Sequence, residues 1–166
     1  MYKIFTKNLV IREFTLDDVS AYFKNNDEEQ IKKYMPNHAH SDINKAREEI
    51  EECMSNYADM KMPCHFAIVK DNMLIGHIGI GEWDIDENNR SHEIEYAISK
   101  DYRGLNYGAE ALKAFAPWCK NELGIDKVYA LVNEQNIASC KALSKAGFTL
   151  IEMEVKNKKR NVYVFE

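Results

Sequence analysis

Long apolar runs are missing from this chain of 166 residues. No segment is long and apolar enough to cross a membrane, and residues 1–7 contain no apolar core of the kind that a signal peptide needs. The three prolines mark no linker, and no repeat or low-complexity tract divides the chain. Because 45% of the residues are hydrophobic, we expect one globular domain over residues 1–166 with a full core.

The cysteines and the net charge exclude further classes of protein. Cys53, Cys64, Cys119 and Cys140 are scattered without C-x-x-C or zinc-like spacing. This pattern favours reduced thiols in a cytoplasm and predicts no metal site. The formal net charge of −5 does not supply the basic surface that general nucleic-acid binding requires. We therefore expect a cytoplasmic protein with neither a nucleic acid nor a membrane as partner.

The most informative stretch covers residues 93–112. Apolar and polar residues alternate over residues 93–98, which predicts a strand. A short turn with Arg103 and Gly104 follows, and from Asn106 onward apolar residues recur at helical spacing. A strand that leads through a glycine-bearing turn into a helix N-terminus directs backbone N–H groups and the helix dipole at an anion. The pattern predicts a phosphate-binding turn.

The turn resembles a known family motif. It has neither the three glycines of a dinucleotide fingerprint nor the Lys-Ser/Thr pair of a P-loop. It is similar instead to the acetyl-CoA-binding motif of the GNAT N-acetyltransferases, Q/R-x-x-G-x-G/A. Asn106 stands where the family has its first motif glycine. Since Asn tolerates positive φ better than other non-glycine residues, we expect the turn to form.

Two further stretches resemble the same family. Residues 133–148 are similar to its N-x-x-S-x-x-x-L-x-K-x-G-F element, in which Asn136 is a good helix N-cap and Gly147 suits the position after the helix end. A cap and a glycine also fit a helix without any ligand, so the order of the two motifs carries the resemblance. Residues 9–18 resemble the opening of the branch that acetylates the N-terminal alanine or serine of ribosomal proteins.

The resemblance implies a fold and a set of binding residues. The fold is a single-domain α+β arrangement with a mostly antiparallel, splayed central sheet flanked by helices. In this family the splay admits the thioester arm of acetyl-CoA, the co-substrate, between two strands. The cofactor-binding residues that it implies here are Tyr96, Ile98, Arg103, Gly104, Leu105, Asn106, Tyr107, Gly108, Asn136 and Ser139.

Three side chains are candidates for the chemistry of acetyl transfer. An amine that attacks a thioester must first lose a proton to a base. Glu93 and Glu95 lie on the same face of the predicted strand, roughly 6.5–7 Å apart, so mutual repulsion and partial burial should raise the pKa of at least one of them. Glu93 matches a glutamate proposed as the base in some family members, while Glu95 replaces a family glycine and is a candidate acceptor-binding residue. Ser139 matches a family serine and is a candidate hydrogen-bond donor to the cofactor sulfur. The alternative is that both carboxylates are solvated surface charges and Ser139 bonds to its own helix.

The loop at residues 35–40 contains two histidines. In this family the early helices and the loop between them form part of the acceptor wall, which makes His38 and His40 weak candidates for substrate contact. Isolated loop histidines are usually solvated, and we expect that here.

Two local irregularities are also predicted. The three glycines within the predicted strand at residues 74–83 indicate a bulge or a close backbone approach. Pro117 lies inside the predicted helix 106–123 and should kink it or end it early.

These observations predict an acetyl-CoA-dependent N-acetyltransferase that acts by direct attack in a ternary complex. The acceptor is a primary amine, either a protein N-terminus or a small molecule, and the acidic residues at 82–87 favour a cationic one. A catalytically silent acyl-CoA-binding or regulatory module is an alternative, favoured by the departures at Asn106 and Glu95. A nucleotide-binding protein of another type is a second alternative, and a homodimer stays open.

Overall fold

The structure is a computed structural model that describes residues 2–166. The strands are β1 (Lys3–Phe5), β2 (Val10–Arg12), β3 (Cys64–Lys70), β4 (Met73–Asp84), β5 (Arg90–Ile98), β6 (Val128–Ala130), β7 (Thr149–Val155) and β8 (Lys158–Phe165). The α-helices are α1 (Val19–Asn26), α2 (Glu29–Tyr34), α3 (Ile43–Asn56), α4 (Tyr107–Leu123) and α5 (Ile137–Lys145). No helix in this described range is long and apolar enough to cross a membrane.

The strands form one mixed sheet in the order β1-β2-β3-β4-β5-β6-β8-β7. Every neighbouring pair is antiparallel except β5 and β6, which are parallel. The parallel pair is joined only at His92–Val128 and Glu93–Tyr129, and beyond Glu93 the two strands part. The predicted mostly antiparallel sheet with a splay is confirmed.

Helices cover both faces of the sheet. On one face, Phe66 of β3 contacts Phe115 of α4 with ring centroids 5.5 Å apart. On the other face, His77 of β4 contacts Tyr22 of α1 with centroids 5.4 Å apart. Because successive side chains of a strand alternate between faces, the first face is apolar while the second carries the histidines and glutamates described below.

Helix α4 runs through Pro117 without a break. The early helix end that Pro117 predicts is therefore wrong. Phe115, Ala116 and Cys119 flank the proline and are fully buried, so tertiary packing outweighs the lost hydrogen bond.

An ion pair anchors the start of the chain to the first helix. The Asp18 carboxylate accepts hydrogen bonds from two Arg12 nitrogens, at 2.7 and 2.9 Å, and from the backbone N–H of Thr15, at 2.8 Å. Burial acts to raise the pKa of Asp18, but the hydrogen bonds from Arg12 and Thr15 outweigh it and hold the pKa below its usual value.

Replacing this carboxylate should destabilise the fold. We expect Asp18→Asn to lower the free energy of unfolding by about 2–3 kcal/mol, because the half-buried Arg12 would lose its charged partner and the buried site its two hydrogen bonds from the guanidinium. Exposed Asp17→Asn is the matched control. Since the folded pKa is depressed, the stabilisation is present above about pH 4, the unfolded pKa, and is lost as pH falls through the folded pKa. Equal urea midpoints for the two variants at pH 7 would contradict this.

Candidate active site

A cavity of about 780 Å³ opens where β5 and β6 part. It is bounded by β5, the start of α4, the start of α5 and the segment after α2. The sequence-predicted residues that line it are Glu93, Glu95, Tyr96, Ile98, Arg103, Gly104, Asn106, Tyr107, Gly108, Asn136 and Ser139. Leu105 is not among the lining residues, and its side chain is exposed.

Backbone groups of β5 face this cavity. The N–H of Ser99 donates to Ile75 O in β4, at 2.7 Å. Because hydrogen-bonding direction alternates along an antiparallel strand, Ile98 and Tyr96 direct their N–H and C=O groups away from β4. The pairing with β6 ends at Glu93, so the N–H groups of both residues and the C=O of Tyr96 offer sheet-like hydrogen-bonding positions to a ligand, while the C=O of Ile98 accepts from Arg103 Nε.

The turn before α4 has the shape that the sequence predicted. Gly104 has φ +76, and Asn106 has φ 68 and ψ 9, which is the left-handed region. The tolerance predicted for Asn106 at the position of a motif glycine is thus confirmed. Its side-chain oxygen accepts a hydrogen bond from Lys145 Nζ at 3.1 Å, which ties the turn to the end of α5.

Arg103 fixes the turn through its side chain. Its Nε donates to Ile98 O at 2.7 Å, and its guanidinium pairs with Glu28. With these groups engaged, the anion-binding capacity of the turn rests on the backbone N–H groups at the start of α4.

Tyr96 links three elements around the cavity. Its ring packs against Gly108, where an added Cβ would lie 2.7 Å from Tyr96 Cε2. Its hydroxyl donates to Ser139 Oγ at 3.2 Å. The Asn136 side chain accepts from the Ser139 N–H at 3.3 Å, which confirms the predicted N-cap of α5. The starts of α4 and α5 are therefore both positioned against β5.

Glu93 is half-buried where β5 and β6 separate. Burial and the nearby charge of Glu95 raise the pKa of Glu93 to about 7, while a hydrogen bond from the backbone of Leu131 acts in the opposite direction. A carboxyl with this pKa is suited to exchange protons at neutral pH.

Glu95 has the opposite environment. Its Oε1 accepts hydrogen bonds from His65 Nε2 at 2.6 Å and from His38 Nε2 at 3.0 Å. Burial acts to raise the pKa of Glu95, but these two histidines outweigh it and lower the pKa. Two carboxylates on one strand face are thus held in different protonation regimes, as in other sites that need one base and one permanent charge.

Neither loop histidine is solvated as we expected: the His40 side chain is 10% exposed and pairs with Glu49, and His38 is buried. It is 8% exposed, and its Nδ1 lies 3.1 Å from Glu49 Oε1. Burial acts to lower the pKa of His38, but hydrogen bonds to Glu49 and Glu95 outweigh it and raise the pKa well above its usual value. His65 and Glu49 were not predicted as site residues. Their only sequence signal is the glycine-rich strand β4, which indicated a close approach without saying by what.

Comparisons with known proteins agree with this geometry. The acetyltransferase (GNAT) domain profile matches residues 8–149. Over 145 residues the chain is 26% identical to the uncharacterised N-acetyltransferase YnaD of Bacillus subtilis. This match covers 87% of this chain and 81% of that protein.

Solved acetyltransferase structures share the fold. RimL, a ribosomal L7/L12 α-N-protein acetyltransferase in complex with coenzyme A, superposes with a TM-score of 0.79 at 16% identity, covering 99% of this chain and 97% of that chain. The ribosomal-protein-S5-alanine acetyltransferase of Vibrio fischeri gives 0.78 at 13% identity, covering 99% and 96%. The predicted single-sheet fold is confirmed by these likenesses.

Proposed function

The chain belongs to the GNAT acetyltransferase family, whose members use acetyl-CoA, and we propose that it acetylates a cationic primary amine by direct attack in a ternary complex. One observation carries the proposal: a single cavity contains the left-handed turn before α4, the free edge of β5 and the two carboxylates. Cofactor and acceptor can therefore meet in one place.

The cofactor half of the cavity has anion-binding groups. The backbone at Gly104 and Asn106 and the N-terminus of the 17-residue helix α4 would hold the pyrophosphate of acetyl-CoA. The cavity-facing backbone of Tyr96 and Ile98 would hold the extended arm as an added strand would be held. Acetyl-CoA supplies the activated acetyl thioester.

Glu93 is proposed as the base. An acceptor amine must lose a proton before its nitrogen forms a bond to the acetyl carbon and the carbon–sulfur bond breaks. A half-buried carboxylate beside the point where the strands part can take that proton. The sulfur can depart as a thiolate that Ser139 stabilises with a hydrogen bond, since Tyr96 donates to its Oγ and leaves the serine hydroxyl hydrogen for the ligand.

Direct transfer is favoured over an acyl-cysteine route. Cys140 does not belong to the described residues that line the cavity, and covalent catalysis would require a nucleophile exposed to the thioester. The reaction then needs both substrates bound together.

The acceptor half of the cavity is acidic. Glu95 keeps 37% of its side chain exposed while its pKa is lowered, so it remains charged at neutral pH. Glu82 and Asp84 at the end of β4 pair with Arg90. Neither they nor the exposed Glu87 lines the cavity, so the acidic character of this half rests on Glu93 and Glu95. Such a surface attracts cationic amines, which include protein N-termini such as the one that RimL acetylates on ribosomal L7/L12.

The role of Glu93 predicts a defined loss and a defined pH profile. We expect Glu93→Gln to lower kcat about a hundredfold, with the KM for acetyl-CoA unchanged. In the wild type, kcat/KM should rise as pH increases through about 7, because the carboxyl must be unprotonated to act as base. The rise of kcat/KM near pH 7 should be absent from Glu93→Gln. Release of free thiol from acetyl-CoA measures the rate, and Glu122→Gln on the exposed end of α4 is the control.

A wild-type rate that is flat between pH 6 and 8, or a Glu93→Gln variant as active as Glu122→Gln, would remove Glu93 from the mechanism. No thiol release with any amine, despite tight CoA binding, would instead favour a silent acyl-CoA-binding module.

Coenzyme A binding should depend on backbone geometry more than on the Arg103 side chain. Gly108→Val would push against Tyr96 and should weaken CoA binding about tenfold or more, as overpacking of this kind costs about 1–3 kcal/mol. Arg103→Ala should reduce stability by about 1–2 kcal/mol, because its hydrogen bond to Ile98 is lost, and should change CoA affinity much less. Calorimetric titration with CoA decides the matter. Equal affinity for wild type and Gly108→Val would be inconsistent with this cofactor site.

The acidic acceptor half predicts selectivity for charge. Cationic primary amines should have higher kcat/KM than neutral amines of similar size, and this preference should shrink as salt is added, since salt screens exposed charges beyond about 8–10 Å. Steady-state rates at low and high ionic strength test this. Equal rates for neutral and cationic amines, with no effect of salt, would refute the charge argument.

A further inference from the structure

One row of residues crosses the sheet beside the two carboxylates. His65 of β3 pairs with Gly79 of β4, and Gly79 pairs with Glu95 of β5. Neighbouring strands lie about 4.8 Å apart, so side chains two strands apart meet only when the residue between them is small. Here the His65 ring reaches across Gly79 to place Nε2 2.6 Å from Glu95 Oε1.

Gly79 is the residue that permits this contact. A Cβ at Gly79 would lie 1.9 Å from Cδ2 of His65, so the His65 ring would have to move away from Glu95. Gly81 lies on the same strand face, and a Cβ there would meet only Pro63 Cβ at 3.5 Å, an ordinary contact. The close backbone approach that the glycines of β4 predicted is found at Gly76, where a Cβ would lie 2.2 Å from Ala97 O. At Gly79 it is the His65 side chain that comes close, and its consequence is the contact of His65 with Glu95.

A second histidine reaches the same oxygen from the segment after α2. His38 Nε2 lies 3.0 Å from Glu95 Oε1, and its Nδ1 lies 3.1 Å from Glu49 Oε1 of α3. His40 also pairs with Glu49. Since carboxylates accept hydrogen bonds, both nitrogens of His38 donate, and His38 is an imidazolium held between two carboxylates.

The hydrogen-bonded network of His65, His38 and Glu95 is buried except for the carboxylate of Glu95, which is accessible from the cavity. His65 is 6% and His38 8% exposed, whereas the side chain of Glu95 is 37% exposed at the cavity. Both histidines form their hydrogen bonds with Oε1 of Glu95, and Oε2 of Glu95 has no hydrogen bond within residues 2–166. One oxygen is thus held by the protein, and the other is left for a ligand.

Hydrogen bonding accounts for these distances better than a metal ion. The ligand atoms of His38, His65 and Glu95 lie within 4.8 Å of one another, a grouping that could hold a cation. Tetrahedral zinc, with bonds of about 2.0–2.1 Å, would hold its ligand atoms about 3.3 Å apart. The observed 2.6 and 3.0 Å match N–H···O hydrogen bonds.

Building on the function proposed above, we propose that His65 and His38 are positioning residues that hold Glu95 as a fixed, ionised carboxylate for a cationic group of the acceptor. The imidazolium of His38 is shared between Glu49 and Glu95, and Oε2 of Glu95 is left to pair with a cation that enters the cavity. The two histidines and Gly79 are then determinants of acceptor specificity.

The groups that face Glu95 set its charge. They are His65 from β3, His38 from the segment after α2 and Glu93 on its own strand, with Glu49 acting through His38 and the buried His77 of β4 packed behind His38. The histidines favour the ionised form, and Glu93 disfavours it. Removing a histidine should therefore let Glu95 take up protons more readily and move more freely.

The experiment compares His65→Gln and Gly79→Ala with two matched controls. His92→Gln changes a histidine of β5 outside the network, and Gly81→Ala adds a methyl group where space exists. For a cationic amine, we expect KM to rise about tenfold or more in His65→Gln and Gly79→Ala, with a smaller change in kcat. The KM for a neutral amine should stay unchanged, so charge selectivity falls by the same factor. The controls should behave as wild type.

A second readout does not depend on turnover. Carbon-13 NMR titration of the Glu95 carboxyl should show a depressed pKa in the wild type, Gly81→Ala and His92→Gln. In His65→Gln and Gly79→Ala the pKa of Glu95 should be higher than in the wild type. Circular dichroism and thermal unfolding establish that each variant is folded. If the wild type acetylates no amine at all, the proposed function fails, while this titration still decides whether the histidines position Glu95.

Three results would overturn the proposal. The first is a Glu95 titration that is the same in His65→Gln and wild type. The second is an equal KM for cationic amines in Gly79→Ala and Gly81→Ala when both are folded. The third is stoichiometric zinc in the purified protein that is lost in His65→Gln, because the histidine nitrogens would then bind metal.

Discussion

The site depends on the early separation of β5 and β6. The two strands pair at only two positions, because β6 spans just Val128–Ala130 while β5 continues to Ile98. A sheet edge left open in the interior has backbone groups without strand partners, which is unfavourable unless a ligand or water satisfies them. The same separation that costs stability therefore creates binding capacity for an extended ligand.

The opening between β5 and β6 has an anion-binding side and a side with two carboxyl groups. On one side, the turn at Asn106 and the start of α4 present backbone donors that attract anions, while the Arg103 side chain is engaged with Ile98 O. On the other side, Glu93 and Glu95 lie on a single strand face two residues apart, yet burial raises the pKa of one and histidines lower the pKa of the other. The alternation of a single strand thus places a carboxyl with a pKa of about 7 beside a carboxylate whose pKa is lowered.

The sequence was most informative where function depends on local backbone geometry. The left-handed turn at Asn106, the N-cap at Asn136 and the strand around Glu93 all rest on residues close together in the chain. The histidine network could not be predicted this way, because His65 and Glu95 are 30 residues apart and meet only through the register across Gly79. The prediction that Pro117 ends its helix was wrong for a related reason, since packing of the buried core around the proline outweighs its low helix propensity.

The claim that acetyl-CoA lies between β5 and β6 is tested most directly by amide hydrogen exchange with and without coenzyme A. The N–H groups of Tyr96 and Ile98 point away from β4 and should exchange markedly more slowly once the ligand is bound. The neighbouring odd-numbered amides of β5, which already pair with β4, should change little. Protection elsewhere in the protein, with unchanged exchange at Tyr96 and Ile98 under saturating coenzyme A, would contradict this placement.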